Sequence, residues 1–348
     1  MTTPPRRVIV FSHGRTASNV FYKILRSHPI FHATESNTFL LAFGIGTDSQ
    51  SARSKDKWQR YFNLSDDEVS KISYQSKLDD LERMMAEADL QGKCFLATEH
   101  PYILMSSADI HSHINIPGRE TLPVPVIEDR MLDVTGIANT NTKPEPSDPL
   151  TVIPSHIRNP TLLPNRIFFS VTPIITIRHP ARVIPSYARA VVNSYGTDTS
   201  DLDIPIGGGG FCLDRLVFDA FKSFDESIAA AEDRQPRVPI VVDGDRLVRD
   251  PQGQMKKVCE VLGIDADLLK YSWEANLDTE ESKRPEGFLS VLHRSTGVVL
   301  DPRYDKPLDL QEEVRDWAKK WDEETARNLE EMVVDAMEDY EYLLQYSI

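Results

Sequence analysis

Short runs of β-branched and aromatic residues alternate along the chain with segments of helical apolar spacing, and this alternation constrains the fold most. The first apolar run covers residues 7–12, and residues 18–27 follow with apolar side chains three or four positions apart. The same order recurs at 171–177 and 181–192. Strands that alternate with helices predict an α/β fold of three layers, in which helices cover both faces of a mostly parallel sheet. Further strands are expected at the remaining short apolar runs, which are residues 30–33, 94–98 and 238–242.

The chain of 348 residues can bury a sizeable core, and we expect one domain over residues 1–348 with three additions. Residues 45–92 are polar and charged with helical spacing, which predicts a helical cap insertion. Residues 110–166 are rich in proline, and a loop of this length is typical of a lid or binding segment, so we expect a substrate-side insertion. Residues 310–348 predict C-terminal helices, because their apolar side chains recur at helical spacing. The glycines at 207–210 are interpreted as a flexible hinge.

The acidic composition argues against several classes of partner. The chain has 39 lysines and arginines against 54 aspartates and glutamates, a net charge of −15, whereas nucleic acids and anionic membranes favour a basic surface. The apolar run behind Arg6 and Arg7 is too short for a signal peptide or a membrane span, so we expect a cytoplasmic protein. The sequence leaves homo-oligomerisation open.

Neither the cysteines nor the aspartates predict a metal site. Cys94, Cys212 and Cys259 are scattered without a close pair, which indicates small core residues rather than a disulfide framework or a zinc site. Asp243 and Asp245 flank a glycine at a strand end, and they are better interpreted as caps of the following segment than as a metal pair. We therefore expect no metal.

The segment between the first strand and the first helix, residues 12–19, is typical of an anion site. Backbone N–H groups and the helix dipole favour an anion at such a place. Gly14 permits a tight turn, and Arg15 offers a charged fork for anionic oxygens. Neutral donors complete the loop, namely Thr16, Ser18 and Asn19. The Walker A spacing and its lysine are absent, and the alternative interpretation is a polar turn capped by Ser18.

A second strand-then-helix unit offers a further anion-binding pair. Arg178 ends a strand, and Ser186 follows eight positions later on the predicted helix, so both side chains can be directed at one phosphate. The alternative is that Arg178 caps a carbonyl while Ser186 faces solvent. Together the two loops indicate an anion-binding site more specifically than either loop does alone.

These two loops resemble the nucleotide-binding motifs of the sulfotransferase superfamily. Residues 12–19 are similar to its 5′-phosphosulfate loop, and residues 178–186 to its 3′-phosphate motif, with the same Arg-x-Pro opening and eight-residue step. Most similar within the superfamily are the sulfotransferase-like P-loop proteins of bacteria and fungi, to which residues 31–39, 95–104 and 241–263 also show resemblance.

The resemblance implies a P-loop fold of the sulfotransferase type and an enzyme that moves a sulfuryl group to a hydroxyl of a small molecule, such as a secondary metabolite. It implies 3′-phosphoadenosine 5′-phosphosulfate as co-substrate and no essential metal. The residues that it implies for nucleotide binding belong to the two loops and to a later polar segment: His13, Gly14, Arg15, Thr16, Ala17, Ser18, Asn19, Arg178, Ser186, Arg294 and Ser295.

Several positions depart from the superfamily's pattern. Ala17 replaces the usual glycine of the 5′ loop, and His179 replaces the usual acid of the 3′ motif. Ala97 and Thr98 stand where relatives carry a lysine that neutralises charge during transfer. Two alternatives follow: the same fold with an elimination, cyclisation or hydrolysis, and a non-catalytic nucleotide-binding protein.

The resemblance also implies catalytic residues. The superfamily places a base either as a histidine at the end of the third strand or as a glutamate after the second, and this chain offers His100, Glu99 and Glu35 there. We rank His100 first, because its ordinary pKa suits proton abstraction near neutral pH, and Glu35 second. Arg15 is the candidate for charge neutralisation. Alternatively, His100 caps the strand end and Glu35 pairs with Arg15.

Overall fold

The fold is taken from a computed structural model. It describes residues 6–114, 116, 122, 124–130, 153–154, 156–284, 286–300 and 307–348. The predicted substrate-side insertion at 110–166 lies in large part outside the described residues. Among the described helices, none combines the length with the apolar composition that crossing a bilayer requires.

Five strands form one sheet in the order β2-β3-β1-β4-β5. Their bounds are Arg7–Ser12 (β1), Phe31–Ala33 (β2), Cys94–Glu99 (β3), Thr172–Ile177 (β4) and Ile240–Asp243 (β5). β3 pairs in parallel with both β1 and β2, and Phe11 lies opposite Glu99 in this register. The prediction of a mostly parallel sheet flanked by helices is confirmed.

The strand β1 is buried along almost its whole length. Val8, Ile9, Val10 and Phe11 of β1 are all 0% exposed. A strand that is apolar on both faces needs cover on both faces, as parallel sheets in α/β proteins have. The unbroken apolar runs of the sequence therefore correspond to the buried strands.

Helices occupy most of the remaining described residues. In the N-terminal half they are Ser18–Leu25 (α1), Leu40–Ile45 (α2), Lys55–Phe62 (α3), Asp66–Ser70 (α4), Tyr74–Leu90 (α5), Pro101–Leu104 (α6), Ser107–His113 (α7) and Asn165–Phe168 (α8). In the C-terminal half they are Pro180–Tyr195 (α9), Ile204–Gly209 (α10), Phe211–Ala231 (α11), Gly244–Arg249 (α12), Pro251–Leu262 (α13), Glu280–Lys283 (α14), Ser290–Arg294 (α15), Leu310–Lys320 (α16) and Glu323–Leu344 (α17).

Side-chain caps explain where many of these helices begin. Ser65 and Ser73 form capping boxes at the starts of α4 and α5, and Asp322 accepts a hydrogen bond from the Thr325 amide at the start of α17. The predicted helices within 45–92 and 310–348 are thereby confirmed. The role of 45–92 as a cap stays a prediction.

The interpretation of residues 207–210 as a flexible hinge is wrong. Gly207 and Gly208 lie in or next to the last turn of α10 and are buried. A Cβ on Gly207 would lie 2.0 Å from the hydroxyl oxygen of Tyr187, and one on Gly208 would lie 3.1 Å from its Cβ. These glycines let a tyrosine pack against the α10 backbone.

The described residues form two compact units, each assembled from separate stretches of chain. The first combines the described parts of 1–11, 29–175 and 213–240, and so contains β2, β3 and α2 to α8 with α11. The second combines 12–28, 176–212 and 241–348, and contains α1, α9, α10 and α12 to α17. The single domain expected over 1–348 stays a prediction.

Candidate active site

The loop between β1 and α1 has an unusual backbone. Arg15 has φ 71° and Ala17 has φ 64°, both in the left-handed region that only glycine adopts without strain. Left-handed residues at alternate positions turn successive N–H groups toward one concave side, which is an anion-binding arrangement. The eight-residue helix α1 begins at Ser18, so its first amides have no intrahelical acceptor.

Side-chain and backbone hydrogen bonds hold this loop in place. The buried Thr16 hydroxyl donates to the carbonyl of His13 at 3.1 Å and shares a 2.9 Å hydrogen bond with Thr176 at the end of β4. The Gly14 amide donates to the carbonyl of Gly207 at 3.2 Å. The Thr16 hydroxyl and the Gly14 amide thus support the loop itself.

The remaining loop residues divide by exposure. His13 is 1% exposed, and its ring lies 4.0 Å from that of Phe211. Ser18 is buried and Asn19 is exposed. The N-cap position of α1 belongs to Ala17, with no side-chain capping hydrogen bond. The alternative interpretation of the loop as a turn capped by Ser18 is therefore wrong.

The structure brings the two sequence motifs together through Arg15. Its Nε donates to the Ser186 hydroxyl at 3.0 Å, and its Nη1 donates to the carbonyl of Phe288 at 2.8 Å. Ser186 lies on the second turn of α9, and the Phe288 ring packs 5.5 Å from that of Tyr187. Sequence reasoning missed Phe288, because it contributes a backbone carbonyl that any residue could supply.

Arg178 lies directly after β4 and is held from two sides. Its Nε donates to Asp245 Oδ1 at 2.7 Å, and its Nη1 donates to the carbonyl of Arg15 at 3.4 Å. Asp245 therefore forms an ion pair and does not cap the following helix, contrary to expectation. Asp243 does cap it, since its Oδ1 accepts from the Arg246 amide at 2.8 Å.

His179 has a structural role that explains how it can replace an acid. Its Nδ1 accepts a hydrogen bond from the Ala181 amide at 3.2 Å, at the N-cap of α9. An aspartate accepts the same bond at this position in many helices. Burial lowers the pKa of His179, which favours the neutral ring that can accept.

Arg294 and Ser295 make hydrogen bonds within their own segment. Arg294 Nε donates to the carbonyl of Ser290 at 3.2 Å, and the Ser295 hydroxyl donates to that of Leu292 at 3.0 Å. Trp273, which the sequence analysis did not single out, pairs by its amide with the carbonyl of Thr296. The sequence offers one sign of Trp273, because a large aromatic residue is unusual within a stretch as polar as 270–286.

The base candidates all lie in the first unit, and Glu99 has the most unusual surroundings. It ends β3, is 1% exposed and accepts a 2.6 Å hydrogen bond on Oε1 from the Thr38 amide. Its buried Oε2 has no hydrogen-bond partner among the described residues. Burial raises the pKa of Glu99 to about 8, against the lowering effect of Thr38.

His100 and Glu35 are less enclosed than Glu99. His100 is half-buried at the N-cap of α6, makes no side-chain capping bond there, and stacks on Tyr102 at 5.4 Å. Glu35 is exposed after β2, whereas Ala97 and Thr98, at which the resemblance implies a lysine, are both buried. Within the described ranges, no three His, Cys, Asp or Glu side chains are grouped to hold a metal ion.

The sequence resembles known proteins along most of its length. The family model described as "Sulfotransferase family" matches residues 5–267. A protein named sulfotransferase ppzF from Metarhizium majus (strain ARSEF 297) is 26% identical over 98% of this chain and 96% of its own length. Its namesake from Metarhizium rileyi (strain RCEF 4871) is 24% identical over 97% and 95%.

Among solved structures, the sulfotransferase domain from the Synechococcus PCC 7002 olefin synthase is 16% identical, covers 92% of this chain and 96% of its own, and has a TM-score of 0.32. The sulfotransferase domain from the curacin biosynthetic pathway is 12% identical, with coverage of 92% and 98% and a TM-score of 0.38. The family model spans more than half of the 348 residues. The chain therefore belongs to the sulfotransferase family and is an enzyme that transfers sulfur-containing groups.

Proposed function

We propose that the enzyme transfers the sulfuryl group of 3′-phosphoadenosine 5′-phosphosulfate to a hydroxyl of a small molecule. The observation that carries this proposal is the 3.0 Å hydrogen bond between Arg15 and Ser186, which joins the 5′-type loop to the 3′-type motif. Two anion-binding elements far apart in sequence thus meet in one unit. A nucleotide with phosphate groups on both sides of its ribose needs that arrangement.

The residues present fit such a nucleotide. The left-handed loop backbone and the start of α1 offer N–H groups to the 5′ end, and Arg15 and Arg178 offer guanidinium forks. The bound donor supplies an activated sulfuryl group. Arg15 neutralises the charge that develops when the bond between sulfur and the bridging phosphate oxygen breaks.

We favour Glu99 over His100 and Glu35 as the catalytic base, because of its buried surroundings. A base must take the acceptor's hydroxyl proton as the new S–O bond forms, while the bisphosphate leaves with the electron pair of the broken bond. A pKa of about 8 gives Glu99 greater proton affinity than an ordinary carboxylate has. If Glu99 is the base, activity should rise with pH up to about 8 and disappear in Glu99→Gln. His100→Ala should retain it.

A cavity in the first unit supports a small acceptor. It has a volume of about 230 Å³. Its lining combines apolar side chains with histidines and charged groups, namely Met105, Ile157, Pro160, Leu216, Ala220, His113, His156, Ser223, Asp109, Arg158 and Asp219. A site with an apolar wall and a few polar groups is typical for small molecules. Met105 follows Glu99 by six residues in the chain.

The deciding experiment is a calorimetric titration with adenosine 3′,5′-bisphosphate, because it tests the donor site without knowledge of the acceptor. We expect binding by the wild type and at least about tenfold weaker binding by Arg178→Ala, since a charge-assisted fork is lost. Arg327→Ala removes an exposed arginine of α17 in the same unit and should bind normally. No binding by the wild type would refute the proposed donor.

One alternative is a reaction on the same fold without sulfuryl transfer. It is favoured by Ala17 and by the buried pair Ala97 and Thr98, which offers no charge where the resemblance implies a lysine. Labelled donor separates the two. Transfer of the label to an acceptor hydroxyl supports sulfation, whereas turnover of an acceptor with no label incorporated supports elimination, cyclisation or hydrolysis.

A further inference from the structure

Asp245 binds two arginines at once. Its Oδ1 accepts from Arg178 Nε at 2.7 Å, and its Oδ2 lies 3.4 Å from Arg182 Nε. The three side chains are only 11% to 14% exposed, so solvent screens these contacts weakly. Arg182 precedes Ser186 by one helical turn on α9, which places the two on the same face of the helix.

The backbone of Asp245 is fixed against the anion loop. A Cβ on Gly244 would lie 2.2 Å from the carbonyl oxygen of Thr16, so the first turn of α12 touches the loop where only glycine fits. Asp243 holds the same turn from the other side through the Arg246 amide. The carboxylate of Asp245 therefore has a set position relative to the loop.

These contacts fix the plane of the Arg178 guanidinium. The Nε of Arg178 donates to Asp245, and its Nη1 donates to the carbonyl of Arg15. A planar fork that is held at two points can present its N–H groups in one direction, which reduces the conformational entropy lost on binding a phosphate. Arg182 offsets the negative charge that Asp245 would otherwise place beside that phosphate.

We propose that Asp245 is a positioning residue for the nucleotide's 3′-phosphate and acts through Arg178. This inference rests on the proposed function, because it assumes that Arg178 binds that phosphate. Simple electrostatics predicts the opposite effect of removing Asp245. Removing a carboxylate beside an anion site should tighten anion binding if charge alone matters, and should weaken it if the carboxylate orients the arginine.

The test measures the Kd of adenosine 3′,5′-bisphosphate and of adenosine 5′-monophosphate, which lacks the 3′-phosphate. Asp245→Asn should weaken bisphosphate binding about tenfold and leave monophosphate binding within about twofold, because only one phosphate is affected. Asp245→Glu should recover part of the loss. The double variant with Arg178→Ala should bind no worse than Arg178→Ala alone, since both changes remove the same contact.

Asp309→Asn is the matched control, because it makes the same charge change at the exposed N-cap of α16, where asparagine is tolerated. Unchanged or tighter bisphosphate binding by Asp245→Asn would overturn the inference, and so would an equal loss for both nucleotides. If Asp245→Asn does not fold, the same Kd values are measured for Asp245→Glu and for Asp245→Glu combined with Arg178→Ala. If the wild type binds neither nucleotide, the proposed function itself fails, which is a different result.

Discussion

At the scale of single residues, Ala17 adopts a backbone conformation that its own side chain opposes. Its φ of 64° brings Cβ close to the following carbonyl oxygen, at a free-energy cost of about 1–2 kcal/mol relative to glycine. Such strain persists where the surrounding structure fixes it, and it is common at ligand sites.

Ala17→Gly should therefore raise the free energy of unfolding by about 1 kcal/mol. Glycine removes the strain, but its greater freedom in the unfolded chain cancels part of this gain. Ala86→Gly, in the interior of α5, is the control and should lower it by about 1 kcal/mol. Denaturant titration measures both. Destabilisation of equal size by the two changes would contradict the assigned strain.

Glu99 makes stability depend on pH. Burial raises its pKa to about 8, whereas an unfolded chain has the ordinary value of about 4.3. Between these values the folded state keeps a proton that the unfolded state has lost, so the contribution of Glu99 to stability falls as pH rises. The slope is at most about 1.4 kcal/mol per pH unit.

Glu99→Gln cannot lose this proton, so its free energy of unfolding relative to the wild type should increase from about pH 5 to about pH 8. Chemical denaturation at several pH values measures the difference. Glu226→Gln, at an exposed position of α11, should show no such trend. A constant offset between Glu99→Gln and the wild type would show that Glu99 does not titrate in this range.

At the scale of elements, the loop between β1 and α1 depends on how α9 and α10 pack. The Tyr187 ring of α9 lies against Gly14 of the loop and Gly207 of α10, and the Gly14 amide bonds to the Gly207 carbonyl. A Cβ on Gly14 would lie 2.6 Å from the ring. The small residues thus let the helices and the loop approach closely.

Gly207→Ala should destabilise the protein by about 1–3 kcal/mol, because the buried Tyr187 has little room to move. It should also weaken bisphosphate binding, since the loop moves with the ring. Gly209→Ala is the matched control in the same helix, where a Cβ would lie 3.4 Å from Met332. That change should be neutral or stabilising. Thermal unfolding of both variants measures the difference, and equal effects would argue against the packing role.

The sequence predicted the main strands and helices well, because their apolar patterns are local, whereas anion binding by residues 12–19 stays a prediction. The strands follow from apolar runs, and Arg178 and Ser186 follow from an eight-residue step. The glycines of α10 were misread as a hinge, because Tyr187 contacts them from another helix. The pairing of Asp245 with Arg178 spans 67 positions, and no local pattern reveals it.

The choice among bases shows the same limit. Glu99 and His100 are neighbours, and an ordinary pKa favours the histidine. Only the burial of Glu99 and its hydrogen bond from the Thr38 amide favour Glu99 over His100 as the base. Burial depends on residues far away in the chain, so it could not be predicted from the neighbours of Glu99.

At the scale of the whole molecule, the proposed nucleotide site belongs to one unit. Arg15, Arg178, Ser186 and Asp245 all lie in the second unit, and the base candidates lie in the first. A bound ligand stabilises most strongly the region whose opening would release it. The response to nucleotide should therefore be uneven along the chain.

Hydrogen exchange with saturating adenosine 3′,5′-bisphosphate should slow most in residues 12–28, 176–212 and 241–348. Mass spectrometry of peptides locates the effect. Arg178→Ala at the same nucleotide concentration should lose most of the protection. Protection confined to residues 29–175 would place the nucleotide elsewhere.

The division of the second unit among distant stretches of chain also bears on synthesis. The loop between β1 and α1 leaves the ribosome well before residues 241–348, which complete its unit. At ordinary translation rates the loop waits on the order of tens of seconds for its partners. While residues 241–348 are still missing, a nascent chain has no finished second unit, so the proposed ligand can stabilise this unit only after those residues have emerged.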